Sequence, residues 1–260
     1  MIIDGHNTVG EVRSFLMIGQ SNMAGRGEFN EVPKIDNENC FTLRNGRWQK
    51  LFVPVNPDRR FSGVSLAESF ALEYSKAHGN VQVGLIPCAD GGTDIDDWVE
   101  GGVLFDNAIY QSRLADRTSI IAGVLWHHGE SDAKEGRVEA YEEKLKKVIS
   151  AFRKEKCLKD IPFIMGELGK WDRSTTPWDG KLYNDVNDII IKVAKQTENA
   201  ILVPSEGLTS NEDFLHFNAK SLREFGVRYF QAFSQIEDKN KVFIDKPRYD
   251  GAVRNAISEL

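Results

Sequence analysis

Five short apolar runs alternate with five longer amphipathic stretches along the chain. The apolar runs occupy residues 14–19, 81–88, 120–127, 162–168 and 200–205. They are rich in Val, Ile, Leu and Phe without strict alternation, which is typical of strands that are covered on both faces. Apolar residues at helical spacing fill the stretches that follow, at 64–79, 104–116, 138–156, 181–197 and 219–236. This order predicts an α/β fold with a five-stranded parallel sheet, right-handed crossovers and helices on both faces.

One short segment departs from this alternation. Residues 40–51 carry Asn45-Gly46 between two short runs, which predicts a hairpin with a type I′ turn. Because it lies between the first strand and the first helix, we interpret it as a decoration on the sheet and do not count it among the five strands. The chain has no linker, repeat or charge block, so we expect one domain over residues 1–260. Its core spans about 14–236, and a C-terminal extension spans 240–260.

Composition excludes some classes of partner. The chain is 41% hydrophobic and 28% charged, which suits a globular core, and its net charge is −6. That charge argues against a nucleic-acid surface or an anionic membrane surface. Three widely spaced cysteines and a start without a signal-peptide pattern predict a cytoplasmic protein with reduced thiols. No apolar run approaches the roughly 18 residues that a membrane helix requires.

Chemistry-bearing residues follow the predicted strands. Ligands of open parallel sheets bind outside the carboxyl ends of the strands. Ser21 follows the first strand, and His216 follows the last, with Asp213 three residues before it. One helical turn or a tight loop can bring the Asp213 carboxylate to the His216 imidazole. A nucleophile, a base and an acid that orients the base are what serine hydrolysis requires.

The residues alone leave other interpretations open. Ser131 lies in Gly129-x-Ser131-x-Ala133, which is similar to a nucleophile elbow, although the neighbouring acid Glu130 disfavours a nucleophilic alkoxide. Acids and histidines on the strand-end loops could bind a metal, but their spacing matches no metal motif, and a solvated acidic loop is the simpler interpretation. This set is Asp90, Asp94, Asp96, Asp97, His127 and His128. Neither GxGxxG nor a Walker lysine is present, so we expect no metal and no cofactor.

Four blocks in order, GQSNMAGRG, CADGGTDIDDW, WHHGESDA and DFLHF, resemble those of the SGNH-type carbohydrate esterases. The resemblance is to the sialate O-acetylesterase and acetylxylan esterase group, carbohydrate esterase family 6. The blocks run from residue 19 to 217. The resemblance implies a three-layer αβα sandwich of flavodoxin-like type. It also implies a carbohydrate O-acetylesterase that acts on a small acetylated sugar or oligosaccharide, through an acyl-enzyme and without metal or cofactor.

The resemblance also implies roles for individual residues. Ser21 would be the nucleophile, and Asp213 and His216 the acid and base of a DxxH pair. The backbone N–H groups of Ser21 and of Gly92, or else of Gly91, would form part of the oxyanion hole. A glutamine normally supplies the remaining donor of that hole in the family.

The chain departs from the family at this last position, which is His128 here. A neutral imidazole can donate one N–H, so His128 would take the glutamine's role in a tautomer-dependent and pH-dependent way. The alternative is that His128 packs in the interior and two backbone donors suffice.

Further residues near the blocks are given supporting roles. Arg26 and Glu130 are predicted to form a buried pair that braces the first and third loops, with surface positions for both as the alternative. Five residues are assigned to substrate binding, with core filling as the alternative for the first tryptophan. They are Trp98, Trp171, Trp178, Gln20 and Asn22.

Two rival functions remain open at this stage. A broader SGNH lipase or thioesterase would need a long apolar acyl pocket, whereas the loops here are polar and carry tryptophans. A catalytically inactive sugar-binding module is supported only by His128. The natural ester and the oligomeric state are not indicated by the sequence.

Overall fold

A seven-stranded sheet forms the centre of the protein, in a computed structural model that describes residues 12–237. The strands follow one another across the sheet in the order β3-β2-β4-β1-β5-β6-β7, and all neighbours are parallel except β2 and β3. Their bounds are β1 Arg13–Gly19, β2 Cys40–Arg44, β3 Arg47–Lys50, β4 Val83–Pro87, β5 Ile120–His127, β6 Phe163–Gly166 and β7 Ala200–Val203.

Helices cover both faces of this sheet. Those of the described part are α1 Ser21–Ala24, α2 Ala67–Ala77, α3 Val103–Asp116, α4 Val138–Lys154, α5 Gly180–Gln196 and α6 Ala219–Ile236, with 3-10 turns at Ile95–Asp97 and Lys156–Leu158. The five long helices and five of the strands coincide with the predicted segments to within a few residues. The predicted α/β fold with a mainly parallel sheet is confirmed.

The predicted number of strands is wrong. The segment at 40–51 forms the predicted hairpin, with both Asn45 and Gly46 at positive φ, but it extends the sheet instead of lying outside it. Strand β2 pairs in parallel with β4, and β3 pairs with β2. A β-carbon on Gly84 of β4 would lie 2.5 Å from the Trp48 ring, so the glycine makes room for this hairpin side chain. Backbone groups at the edge of β4 thereby gain partners.

Strand β1 lies at the middle of the sheet and divides the core into two halves. Leu16 and Ile18 face the apolar cluster beneath α3, α4 and α5. Phe15 and Met17 face the other cluster, beneath α2 and α6. This burial on both sides explains why the run lacks the apolar–polar alternation of a half-exposed strand.

The strand order sets where a ligand site is expected. After β1 the chain adds β2, β3 and β4 on one side of it, and then adds β5, β6 and β7 on the other side. The strand order therefore reverses at β1. Ligands of such sheets bind at the carboxyl ends of the strands beside this reversal. The segments after β1, β4 and β5 therefore meet at one place.

The C-terminal extension and the predicted absence of membrane helices concern different parts of the chain. The predicted C-terminal extension at 240–260 lies outside the described residues. Between residues 12 and 237, no helix combines the length and the apolar character needed to cross a bilayer.

Gly19 ends β1 in a conformation that other residues rarely adopt. Its φ is +125°, and an added β-carbon would lie 2.0 Å from the His127 carbonyl oxygen. The neighbouring Gln20 N–H donates to that same carbonyl at 3.0 Å, and the Asp90 N–H donates to the Gly19 carbonyl at 3.0 Å. The end of β1 is thereby fixed against β5 and against the segment after β4.

We expect Gly19→Ala to lower the free energy of unfolding by about 3 kcal/mol or more, because a left-handed penalty and a steric clash add together. Gly79→Ala is the matched control, since Gly79 has φ +67° but nothing within 4 Å of an added β-carbon. The control should lose only about 1 kcal/mol. Urea denaturation of both variants measures the difference, and equal losses would contradict the close approach at Gly19.

Candidate active site

Ser21 lies at the end of the central strand, as the first residue of α1. It is 5% exposed, and its Oγ is 2.9 Å from His216 Nε2. The sharp turn at Gly19 delivers Ser21 to the edge of the sheet. The hydroxyl of a residue near the start of the chain thus meets an imidazole near its end.

His216 lies on the loop between β7 and α6, and a carboxylate from the same loop holds its ring. Asp213 Oδ2 is 2.6 Å from His216 Nδ1. Asp213 Oδ1 also accepts the backbone N–H groups of Leu215 and His216, each at 2.9 Å. With Nδ1–H donating to Asp213, the opposite nitrogen is free to accept the Ser21 proton.

Electrostatics keep the Asp213 carboxylate ionised. Burial alone would raise its pKa, but hydrogen bonds from the His216 ring and from the backbone N–H groups of His216 and Leu215 outweigh it. Together with the charge of His216 they lower the pKa of Asp213 to about 2. A carboxylate that stays ionised at neutral pH can stabilise an imidazolium beside it.

Asn22 connects the serine segment to the histidine loop. Its Oδ1 accepts the Phe217 N–H at 3.0 Å, and its Nδ2 donates to the Leu215 carbonyl at 3.3 Å and to Glu130 Oε1 at 2.6 Å. Phe217 and Leu215 flank His216, so the Asn22 amide bonds to the backbone on both sides of His216. The carboxylate of Glu130 only accepts, which fixes the orientation of the Asn22 amide.

The second amide beside the serine, Gln20, is also used inside the protein. Gln20 Oε1 accepts the backbone N–H groups of Gly129 and Ser131 at 3.3 and 3.4 Å. Gln20 and Asn22 are 3% and 1% exposed. Their prediction as substrate-binding residues is corrected: both are buried and bonded to the protein, so neither side chain presents a surface to a substrate.

The predicted pairing of Arg26 with Glu130 is wrong. Arg26 instead makes a two-pronged ion pair with Asp58, at 3.0 and 2.6 Å, and both side chains are about 5% exposed or less. Glu130 bonds to Asn22. Two pairs, Arg26–Asp58 and Asn22–Glu130, therefore connect the loops. Arg26 supports the segment after β4, because its partner Asp58 also accepts the Gly91 N–H at 2.8 Å.

This last bond distinguishes the backbone N–H groups of the two glycines predicted for the oxyanion hole. The Gly91 N–H is taken by Asp58, so Gly91 does not offer a donor. A β-carbon on Gly91 would lie 3.3 Å from Ser21 Cβ, which shows how closely this segment approaches the serine. The next residue, Gly92, has φ +80° and open space beside it, and its N–H has no partner within residues 12–237.

His128 is not brought to the surface of the site. It is fully buried, and its ring stacks on Tyr141 and lies 5.0 Å from that of Trp126. Burial lowers the pKa of His128 to about 4, so the ring is neutral. Its Nε2 is buried without a partner in the described chain. A substrate oxygen cannot reach this ring as it lies, so the geometry favours the packing alternative over the predicted donor role.

The three tryptophans assigned to the substrate separate into two groups. Trp98 is fully buried and packs edge-on against Trp126. Its assignment to substrate binding is therefore wrong, and it fills the core, as in the alternative interpretation. Trp171 and Trp178 are half-buried and contact the histidine loop. The Trp171 indole N–H donates to the Phe214 carbonyl at 2.6 Å, and the Trp178 indole N–H donates to the Asp213 carbonyl at 3.3 Å.

The rival sites do not assemble in the described chain. The Ser131 hydroxyl has one side-chain partner, Gln20 Nε2 at 3.5 Å, and no histidine within residues 12–237 bonds to it. Across the same residues, no three side chains of the His, Cys, Asp and Glu types form a group suited to a metal ion.

Sequence reasoning missed the residues that hold the segment after β4. Asn56 bonds to both the N–H and the carbonyl of Ala89, at 3.0 and 2.8 Å, and Asp58 holds Gly91. Burial would raise the pKa of Asp58, but hydrogen bonds from Arg26, Ser62 and Gly91 lower it. Both residues lie in a polar stretch without a motif. Their role is visible only from the fold, which places this stretch beside the segment after β4.

Similarity to known proteins extends over most of the chain. The model of a family described as carbohydrate esterase, sialic acid-specific acetylesterase, matches residues 11–235. A probable carbohydrate esterase from Arabidopsis thaliana is 26% identical over 241 residues, which cover 84% of this chain and 89% of that protein.

Solved structures show the same fold. The crystal structure of a protein from Arabidopsis thaliana has a TM-score of 0.76 at 23% identity, and the match covers 87% of this chain and 98% of that one. NanS gives 0.67 at 13%, with 88% and 98% covered. A carbohydrate acetylesterase from Xanthomonas citri gives 0.64 at 18%, with 86% and 56% covered. These likenesses confirm the fold implied by the sequence blocks.

We expect Asn22→Asp to lower kcat by about 10- to 100-fold with little change in KM, because small displacements of a base cost this much. The variant keeps the shape but loses both donated bonds and sets a second carboxylate against Glu130. Steady-state kinetics and thermal unfolding measure the effect. Asn107→Asp, at an exposed position of α3, is the matched control. Wild-type kcat in a folded Asn22→Asp variant would show that the base does not depend on this amide.

We expect Asp213→Asn to lower kcat by about 10²- to 10⁴-fold at neutral pH, because the neutral amide no longer orients and stabilises the imidazolium. Stability should respond in a pH-dependent way. The folded pKa of Asp213 is about 2, below the ordinary aspartate value of 3.8, so its stabilising effect is present above pH 3.8 and disappears as the pH falls towards 2. Melting temperatures of both proteins should therefore converge as the pH falls from about 4 to 2, and a constant gap would contradict this.

Proposed function

The chain belongs to the carbohydrate esterase family of sialic acid-specific acetylesterases, as its sequence blocks predicted, and we propose that it removes acetyl groups from sugar hydroxyls through an acetyl–Ser21 intermediate. The observation that carries the mechanism is the chain of two hydrogen bonds, 2.9 Å from Ser21 Oγ to His216 Nε2 and 2.6 Å from His216 Nδ1 to Asp213 Oδ2. This is the geometry that activates a serine.

The first half of the reaction transfers the acetyl group to the enzyme. Ser21 Oγ attacks the acetyl carbonyl carbon while His216 Nε2 accepts the hydroxyl proton. The tetrahedral intermediate collapses when the bond from carbon to the sugar oxygen breaks, and His216 returns the proton to that oxygen. The sugar departs as an alcohol, and Asp213 stabilises the imidazolium throughout.

The second half releases acetate. A water molecule gives a proton to His216 Nε2 and attacks the acetyl carbonyl, and the bond to Ser21 Oγ breaks as the proton passes to that oxygen. No metal or cofactor takes part in either half.

Two backbone groups are positioned to stabilise the oxyanion. The Ser21 N–H, at the start of α1, and the Gly92 N–H both lack partners within the described residues. The close approach of Gly91 to Ser21 supports their convergence. One such donor is worth about 2.7–4 kcal/mol in the transition state, so two suffice for a large effect.

A polar cavity lies near the histidine loop, to which Trp171 bonds, and its lining includes none of Ser21, Asp213 and His216. This cavity of about 390 Å³ lies beside Trp171, and its lining includes Lys170, Asp172, Ser174 and Asn184. Hydrogen-bonding side chains around a half-buried indole suit a sugar better than a long acyl chain. Acetylated sialic acid and acetylated xylo-oligosaccharides are the substrates we propose to test first, with Trp171 and Trp178 as sugar contacts.

The test compares acetate release by wild type, Ser21→Ala and Ser131→Ala. We expect Ser21→Ala to lose at least about 10³-fold in kcat, and Ser131→Ala to stay within a few-fold of wild type. Both variants are assayed with 4-nitrophenyl acetate and with the acetylated sugars, with and without a chelator.

Each alternative predicts a different result. Activity that survives in Ser21→Ala would overturn the nucleophile assignment, and loss on chelation would favour a metal enzyme. Preference for octanoyl over acetyl esters would favour a lipase or thioesterase. A protein that binds acetylated sugars but is not labelled on Ser21 by a serine-directed organophosphonate would be a binding module.

A further inference from the structure

Phe214 combines two unfavourable features at one position. Its φ is +52°, in the left-handed region that residues with a β-carbon avoid, and 41% of its surface is exposed to water. It follows Asp213 directly and precedes His216 by two residues, so both features lie within the loop that carries the proposed acid and base.

The loop fixes the backbone of Phe214 in this conformation. The Phe214 N–H donates to the Asn211 carbonyl at 3.1 Å, and its own carbonyl accepts the Trp171 indole N–H at 2.6 Å. The Trp178 indole N–H holds the preceding carbonyl of Asp213 at 3.3 Å. The turn explains the positive φ, and a backbone held at this many points can keep a strained residue.

The turn does not explain the benzyl side chain. Glycine or asparagine occupies a left-handed position with less strain, and a polar residue suits an exposed position better. Within residues 12–237 the Phe214 ring makes no stacking, edge-on or cation contact with another side chain. Strained residues cluster at active sites and ligand clamps, so the strain at Phe214, beside the proposed reacting groups, points to a ligand contact for its ring.

The proposed reaction decides which part of the substrate lies there. His216 Nε2 must reach the sugar oxygen that leaves, so the sugar lies on the His216 side of Ser21. The acetyl oxygen lies on the opposite side, towards the N–H groups of Ser21 and Gly92. Phe214 shares the loop of His216, and a sugar ring offers an apolar face of C–H groups that packs on an aromatic ring.

We propose that Phe214 is a specificity-determining residue that packs against the C–H face of the acetylated sugar ring. This inference rests on the proposed function and adds the part of the site that distinguishes a sugar acetate from a simple alkyl acetate. Phe214 binds the leaving group and takes no part in the proton transfers.

The experiment measures kinetics on two substrates that differ only in the leaving group. One is ethyl acetate, which is too small to reach a ring, and the other is the best acetylated sugar from the wild-type panel. We expect Phe214→Ala to lose about tenfold in kcat/KM on the sugar acetate, mainly through KM, and less than twofold on ethyl acetate. Phe214→Trp should keep the sugar activity.

Matched controls separate this role from a structural one. Tyr110→Ala removes an aromatic ring that is 60% exposed on α3 and should change neither substrate. Phe214→Gly should melt about 2–4 °C above Phe214→Ala, because both lack the ring but only alanine keeps the strained β-carbon. A lower melting temperature for the glycine variant would contradict the strain on which the proposal rests.

Two further results would overturn the proposal. Unchanged sugar activity in Phe214→Ala shows that the ring makes no productive contact. Equal losses on both substrates show that Phe214 only positions the loop. Ser21→Ala is assayed alongside, so that failure of the proposed function is recognised by activity retained in that variant, whatever Phe214 does.

Discussion

The peptide groups on either side of His216 are both bonded to the side chain of Asn22, and the arrangement of the site depends on this bridge. The serine and the histidine are 195 residues apart in the chain and belong to different strand-end segments. A side-chain contact between them would be easily lost if either segment shifted. Because Asn22 follows Ser21 directly, its amide fixes the distance between the serine segment and the histidine loop. The hydrogen bond to Glu130 fixes the orientation of the amide.

The sequence predicted the fold well because the relevant signals are local. Strands buried on both faces read as continuous apolar runs, and the helices between them carry apolar residues at helical spacing, so element type and order followed directly. The nearness of Ser21 and His216 could also be predicted, since parallel strands end at one edge of the sheet and the DxxH spacing joins acid to base. The strand count failed because pairing of the hairpin with β4 is a long-range contact that no local pattern encodes.

The internal connections of the site could not be predicted for a related reason. Charged and amide residues in loops are usually exposed, and nothing local shows that Arg26 finds Asp58 or that Gln20 faces inward. No local pattern selects Asp58 over Glu130 as the partner of Arg26, because the selection depends on how Asp58 packs against the segment after β4. The burial of His128 could not be predicted either, because it depends on the distant Tyr141, whose ring stacks on the imidazole. Trp126 covers the imidazole as well.

The central position of β1 has a consequence for how the chain acquires activity. The strand that carries Ser21 is synthesised before its neighbours in the sheet, and His216 follows Ser21 by 195 residues. Helix α6, which follows the histidine loop, also packs against α2. The proposed nucleophile therefore meets its proposed base only after the segments from β1 to the histidine loop have been synthesised and folded. Contacts of such high sequence separation also slow folding, so the pairing of Ser21 with His216 depends on the slowest class of contacts in the fold.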